Sequence, residues 1–294
     1  PYNYVPTKWV CALFLALFSL STGLHFAQAL RYRLWWLLPT AVVAGILEIV
    51  GWSARLKSSS HPHDFNPYII QISTTILAPT PLVAANFIIL GRIITRLGPR
   101  YSRLNAKWWP GLMVSLRQCI QDTIALVVQA IGGSVASGAV HRLQDPTPGG
   151  NIMLGGIVFQ LAAIVAYVTL AAEFLLRYIK DRPVHRAGVV TERRGRTDPR
   201  TKILLMGMGF MTICILIRSV YRTIELADGW NGKVISTQVL FNVLDGAMIS
   251  LAMLTLNIVH PGIFLARAPV GDAETEVVTE QADPEQAEEK ADAS

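Results

Sequence analysis

Long apolar runs, bounded by prolines, glycines and charged residues, set the pattern of this chain. Seven of them reach the roughly 20 residues a helix needs to cross a hydrocarbon core, at residues 9–30, 35–56, 68–94, 112–140, 152–178, 203–223 and 237–260. In lipid the backbone must satisfy its own N–H and C=O groups, so each run predicts a helix. Breakers fill the gaps: Pro62 and Pro67, Pro99, Pro110, Pro146 and Pro148, Pro183 and Pro199, then Pro261. Pro79 and Pro81 fall inside the third run and are expected to kink it. The fold class is therefore all-α, a seven-transmembrane-helix bundle over residues 1–262. Residues 263–294 form an acidic tail, sparse in large apolar residues, that reads as disordered.

The loops orient the bundle. Arg31 and Arg33 lie in the first loop, and Arg96, Arg100, Arg103 and Lys107 in the third. Lys180, Arg182, Arg186, Arg193, Arg194, Arg196, Arg200 and Lys202 crowd the fifth, while the even loops are poorer in Lys and Arg. Odd loops are thus expected in the cytoplasm, with the N-terminus outside and the tail inside. Acidic residues in the tail contribute little to that rule.

Composition agrees with a membrane protein, at 52% hydrophobic and 16% charged residues over 294 positions and a mean hydropathy of +0.40. The formal charge of +6 sits in juxtamembrane loops, which points to anionic lipid head groups and away from nucleic acid. The first run reads as a true span and not as a cleavable signal. Cys11, Cys119 and Cys214 each fall in an apolar run with no CxxC or zinc spacing, so small buried side chains are expected.

The chemistry lies in polar residues inside the spans, where ionisable groups are costly and face a bundle interior or cavity. Span two carries Glu48 and Arg55, seven apart and on one face. Span four carries Arg117, Gln118, Gln121, Asp122 and Gln129, then Gly132 and Gly133, which permit close helix approach. Arg218, Tyr221, Arg222 and Glu225 follow one another at helical spacing in span six, and Asn242 and Asp245 neighbour each other in span seven. At a rise of about 1.5 Å per residue, Glu48, Arg218 and Asp245 share a level roughly 20 Å from the cytoplasmic ends, with Asp122 at about 15 Å. Arg222 and Glu225 fall nearer the outer surface. Such a layer serves either as an ion-pair lock, with Glu48 on an arginine and Asp245 on Arg218 or Arg222, or as a polar site for a head group or a proton.

These residues resemble a known family, the fungal lipid-translocating exporters named for resistance to aminocholesterol, or RTA-like proteins. The resemblance rests on Glu48-Ile49-Val50-Gly51-Trp52-Ser53-Ala54-Arg55, on Leu77-Ala78-Pro79 leading to Gly91-Arg92, and on Gln121-Asp122 followed by Gln129-Ala130-Ile131-Gly132-Gly133. It continues through Arg218-Ser219-Val220-Tyr221-Arg222-Thr223-Ile224-Glu225, Gly229, Gly232, Asp245 and His260-Pro261-Gly262. It implies a seven-span plasma-membrane or endomembrane protein that moves or resists amphiphiles such as sphingoid bases and aminosterols. Gln238 stands where the family pattern often has Glu, and Asn242 and Phe87 stand where it often has Tyr, which leaves the substrate open.

The leading expectation is a transporter of cationic amphiphilic lipids. Glu48, Asp122, Glu225 and Asp245 would take the ammonium, with Gln129, Arg218, Tyr221 and Arg222 as further substrate or proton-coupling candidates. Asp122 and Asp245 are the expected proton carriers. No G-x-x-x-x-G-K-S/T motif is present, so movement would draw on a proton gradient, a partner or downhill flow. A lipid-responsive seven-helix sensor is the alternative; span seven has no lysine for a retinal, and span three no acidic-Arg pair. An enzyme is not expected: the six histidines are dispersed, His61-Pro62-His63-Asp64 reads as a solvated turn, and no Gly-x-Ser-x-Gly elbow occurs. No catalytic residue, metal or other cofactor is expected, and the partners are membrane lipids and the substrate.

Overall fold

The computed structural model describes residues 4–62, 64–98, 101–102, 127–136, 138–139, 142, 144–182, 198–229 and 232–265. Every regular element among them is helical. Six helices or helix pairs are long and apolar enough to cross a membrane: Lys8–Arg31, Trp35–Ser60, Phe65–Leu97, Thr147–Ile179, Pro199–Ala227 and Gln238–Phe264. Each matches one of the expected spans to within a few residues and most overrun it, because helical geometry continues through the polar interfacial turns that a hydropathy window leaves out. The expected span at 112–140 is described from residue 127 on and holds a shorter apolar helix, Val127–Ala136. Arg117, Gln118, Cys119, Gln121 and Asp122 lie outside the described residues, as does the tail from 266 on. By its contacts the chain divides into Pro1–Phe264 and Leu265–Ser294.

Helix α1 (Lys8–Arg31) is apolar around most of its surface and ends on the first basic loop, where Arg33 takes a φ of 54°. The chain enters the second span through a 3-10 turn, Trp35–Leu37, and a π-helical turn, Leu38–Val42, before α2 (Val43–Ser60). Helices α3 (Phe65–Leu77) and α4 (Pro79–Leu97) meet at Ala78, whose φ of −56° and ψ of −40° remain helical. The helical course thus continues through Ala78, while Pro79 and Pro81 supply no N–H to the hydrogen-bond ladder. Helix α5 (Val127–Ala136) lies against α6 (Thr147–Ile179), close enough that a Cβ on Gly149 would stand 2.3 Å from the Ala136 nitrogen. Helix α7 (Pro199–Ala227) leads to the one-turn α8 (Gln238–Leu240), a second π-helical stretch at Phe241–Ala247, and α9 (Met248–Ile258). Pro261, expected to end the last span, instead begins a further turn, α10 (Pro261–Phe264), since proline is at home in a helix's first turn.

The main contacts run α1–α2–α3 and α6–α7–α9. A polar seam joins α1 to α9: Asn257 Nδ2 donates to Ser21 Oγ at 2.5 Å, Gln28 Nε2 to the Asn257 carbonyl at 2.9 Å, and His25 Nε2 lies 3.2 Å from the Met253 carbonyl. Arg96 ties three elements at one end, pairing with Asp198 at 2.8 Å and donating to the Phe264 carbonyl at 3.4 Å. Cys11 and Cys214 are buried free thiols, as their apolar surroundings led one to expect.

Candidate functional site

Four helical segments bring the in-span charges together. Glu48 and Arg55 come from α2, Thr75 from α3, Arg218, Tyr221, Arg222 and Glu225 from α7, and Asp245 from the π-helical stretch before α9. Arg55, Glu48, Arg218, Arg222, Glu225 and Asp245 are all at most 2% exposed. Arg222 and Glu225 are as enclosed as the rest of the layer.

Arg222 organises the cluster. Its Nε donates to Asp245 Oδ1 and its Nη2 to Asp245 Oδ2, both at 2.8 Å. This is the parallel two-bond fork that suits a guanidinium to a carboxylate. Its Nη1 donates to Glu225 Oε2 at 2.7 Å, and Nη2 also reaches Thr75 Oγ1 at 2.7 Å. Tyr221 donates its hydroxyl to Glu225 Oε1 at 3.0 Å. Arg218 Nε stands 2.8 Å from Asp245 Oδ1 as an ion pair, out of line for a hydrogen bond. The expected pairing of Asp245 with Arg218 or Arg222 is thus met by both.

Arg218 also donates through Nη2 to the Thr75 main-chain carbonyl. The sequence explains why that oxygen is open. In an α-helix it would accept from the residue four positions on, which is Pro79, and proline has no N–H. Thr75 therefore offers a hydroxyl to one arginine and a carbonyl to the other, while donating its own hydroxyl to the Gln71 carbonyl at 2.8 Å.

Glu48 differs from the other carboxylates. Asp245, Arg218 and Arg222 act on it through charge and the Trp52 indole N–H acts on it from one turn along α2, yet neither carboxyl oxygen makes a hydrogen bond of good geometry among the described residues. Among the described residues no arginine makes the expected pairing with Glu48; Arg222 is held by Asp245 and Glu225, and Arg218 pairs with Asp245 and donates to the Thr75 carbonyl. The indole of Trp52, one turn along α2, is fully buried with its Nε1 also unpartnered. Its ring packs on Phe14 at 4.4 Å and Phe241 at 5.7 Å between centroids. Gly246 lies beneath it, where a Cβ would meet Trp52 Cζ2 at 2.6 Å.

Arg55 supplies a third buried guanidinium, two turns from Glu48. It donates to Tyr4 Oη at 2.9 Å and Gln71 Oε1 at 3.3 Å, and its Cζ sits 4.2 Å from the Phe241 ring centre. Arg222 Cζ lies 4.9 Å from the same ring. Phe241 therefore contacts two cations by the attraction of a ring's negative face for positive charge.

Glu225 also borders a cavity of about 10 Å³, with Ile72, Gly150, Leu226, Gly229 and Ile235 around it. That is room for one water. Gln129 is buried on α5, and Asp122 lies outside the described residues. Among the described residues no cluster of three or more His, Cys, Asp or Glu has a metal-binding arrangement. Thr75, Trp52 and Phe241 were not singled out as site residues from the sequence. For Thr75 a signal existed, the proline four residues on.

The chain is 26% identical over 271 residues to the sphingoid long-chain base transporter RSB1 of Saccharomyces cerevisiae, covering 84% of this chain and 70% of that protein. It is 28% identical over 221 residues to protein RTA1 of the same yeast, covering 75% of this chain and 64% of the relative. Protein RTM1 of Saccharomyces cerevisiae matches at 24% over 208 residues, 70% of this chain and 62% of that protein. No solved structure matches. The family model described as RTA1 like protein matches residues 41–268, from the π-helical entry of the second span to just past α10, and the chain belongs to that family.

Proposed function

We propose that this multi-pass membrane protein translocates amphiphilic lipids with a cationic head group, of the sphingoid long-chain base or aminosterol-like kind, and so confers resistance to toxic amphiphiles. The observation that carries the reading is Glu48, a buried carboxyl with no hydrogen bond of good geometry among the described residues, beside Arg218 and Arg222, which both pair with Asp245. An ammonium brings a positive charge and N–H donors, which are what that carboxyl lacks. The similarity to a transporter of sphingoid long-chain bases supports the same reading.

In this proposal the bundle has seven spans, with α5 the described part of the fourth. The basic residues of the odd loops argue for an outside N-terminus and a cytoplasmic tail. The plasma membrane is the proposed location, with an endomembrane as the alternative. Glu48 takes the ammonium, Asp245, Arg218, Arg222, Glu225 and Tyr221 form the frame around it, and Asp122 is the proposed proton carrier. Both oxygens of Asp245 are occupied by arginines, which argues for Glu48 in the docking role.

The test is leaflet exchange of a fluorescent sphingoid base in liposomes holding the purified protein, without ATP, comparing the native chain with Glu48→Gln. Movement by the native protein that Glu48→Gln loses is expected. A folded native protein that moves no base above empty liposomes would sink the proposal and favour the lipid-responsive sensor.

A further inference from the structure

Buried polar groups without partners continue from Glu48 along one side of the last span. Gly246, Ser250, Met253, Asn257 and His260 follow one another at spacings of four, three, four and three, which is one helix face. That face meets α1 and α2. Gly246 lies beneath Trp52, and a Cβ on Gly45 would stand 2.9 Å from Met253 Cε and closer still to Thr22 Oγ1. Glu48 lies between Gly45 and Trp52 on α2, and Ser250 lies between Gly246 and Met253, so the two stand at one level across the junction. Ser250 is 5% exposed, and its hydroxyl, like the Glu48 carboxyl, makes no hydrogen bond of good geometry among the described residues.

Beyond Ser250 the seam between α1 and α9 leaves four more polar atoms buried and unpartnered among the described residues: His25 Nδ1, Asn257 Oδ1, Gln28 Oε1 and His260 Nε2. Their neighbours fix what each can offer. Gln28 and Asn257 spend amide N–H groups on the seam, which leaves their oxygens as acceptors. His25 Nε2 faces the Met253 carbonyl and so carries the ring proton, leaving Nδ1 an acceptor. His260 Nδ1 accepts from the Gly262 N–H at 3.1 Å, which puts its proton on Nε2 as a donor. Donors and acceptors mixed along one line suit water, and suit neither an anion nor a metal ion. Buried water serves unpaired polar groups of this kind. His260 lies about 15 Å from Ser250 at the helical rise. There its ring packs on the half-buried Tyr32 at 5.1 Å between centroids, at the end of the bundle where Arg96 holds Phe264. His260 acts on His25 through charge, and Asp245, Arg218 and Arg222 act so on Glu48.

We propose that this seam is a hydrated proton path from the His260 end of the bundle to Glu48, and that the carboxylate carries either the ammonium or a proton, so that the two exchange. This rests on the transport reading, and it supplies a driving force from the α1 side, independently of Asp122. A carboxylate holding a proton has lost the charge that attracts an ammonium, and a bound ammonium opposes a proton in the same place. Arrival of the proton therefore releases the lipid, and its departure restores the site.

Radiolytic hydroxyl-radical labelling of the full chain in nanodiscs tests the path, because it oxidises buried side chains that touch bound water. Met253 on the seam and Met211 on α7 are 0% and 1% exposed. Met253 should be oxidised several-fold faster than Met211, and equal protection of the two would overturn the path with no variant needed. Proteoliposomes enclosing a pH-sensitive dye test the exchange with a fluorescent sphingoid base added outside, without ATP. Interior alkalinisation should keep pace with leaflet exchange, above empty liposomes. Base movement without that alkalinisation would overturn the proton path and leave the transport reading standing. Ser250→Val, which puts methyls beside Glu48, should slow alkalinisation and exchange together several-fold. A folded Ser250→Val that matches the native chain in both would also overturn the path. A folded native protein that moves no base would end both readings.

Discussion

Arg222 holds Asp245 by both carboxylate oxygens, Nε to Oδ1 and Nη2 to Oδ2, each at 2.8 Å. The pair joins α7 to the π-helical stretch ahead of α9 in a place that solvent does not reach. Removing one member of such a pair strands the other as an uncompensated buried charge. Asp245→Leu should therefore lower unfolding stability in detergent by about 3–5 kcal/mol. The double variant Arg222→Met with Asp245→Leu should regain part of that loss. A double variant as weak as the sum of the singles would show that the two residues do not act as a pair.

Glu48→Gln should behave in the opposite way. Among the described residues the native carboxyl makes no hydrogen bond of good geometry, and the substitution keeps its shape while replacing an ionisable group by a neutral amide. Its melting temperature in detergent is expected to equal or exceed that of the native chain, even as transport falls. A clear drop in melting temperature would assign Glu48 to the structural lock.

Thr75→Val keeps the shape of the side chain and deletes the hydroxyl that Arg222 Nη2 reaches at 2.7 Å. Hydrogen bonds to charged groups contribute about 1.5–3 kcal/mol, so a loss of that order is expected in thermal unfolding. The main-chain bond from Arg218 should survive it. Pro79→Ala attacks that second bond by restoring an N–H that competes for the Thr75 carbonyl. The expected result is a fold at least as stable as native with leaflet exchange reduced several-fold. Undiminished exchange in Pro79→Ala would sever Arg218's carbonyl contact from the site's work.

Glycine substitutions separate close packing from generic helix effects. Gly246→Ala drives a methyl into the Trp52 ring and should cost about 1–3 kcal/mol by overpacking. Gly209→Ala, with nothing within 4 Å of the added methyl, should be neutral or stabilising by up to about 1 kcal/mol. Equal thermal shifts for the two would contradict the close approach of Trp52 to the π-helical stretch at Phe241–Ala247.

How much of this was legible in the sequence depends on how local each cause is. The spans follow from apolar runs, and the layer from charges that lipid would not tolerate, so spacing and cost alone group Arg218, Arg222, Glu225 and Asp245. The division of labour among them has no such local cause. Among the described residues both arginines near Glu48 pair with Asp245 and not with it, an arrangement among three helical segments that no spacing encodes. Phe241 beside Arg55 and Arg222 was invisible for the same reason, since an aromatic in a span reads as core. Thr75 lay in between: its role follows from Pro79 by a local rule that needs only the order of residues. The π-helical stretches left no sign, because Leu38–Val42 and Phe241–Ala247 are made of residues an α-helix accepts equally well.

The π-helical stretch at Phe241–Ala247 makes the last helix sensitive to counting. A π turn takes up one residue more than an α turn over a similar rise, and each α-helical residue advances the face by about 100°. Phe241 and Asp245 within the stretch and Ile249, Ala252, Met253 and Leu256 beyond it are all buried with that extra residue in place. Deleting a single residue here would let the segment relax into plain α-helix and put the two halves out of phase, so that either the charges or the apolar ridge would turn away from the bundle. In this stretch the number of residues is as binding as their identity.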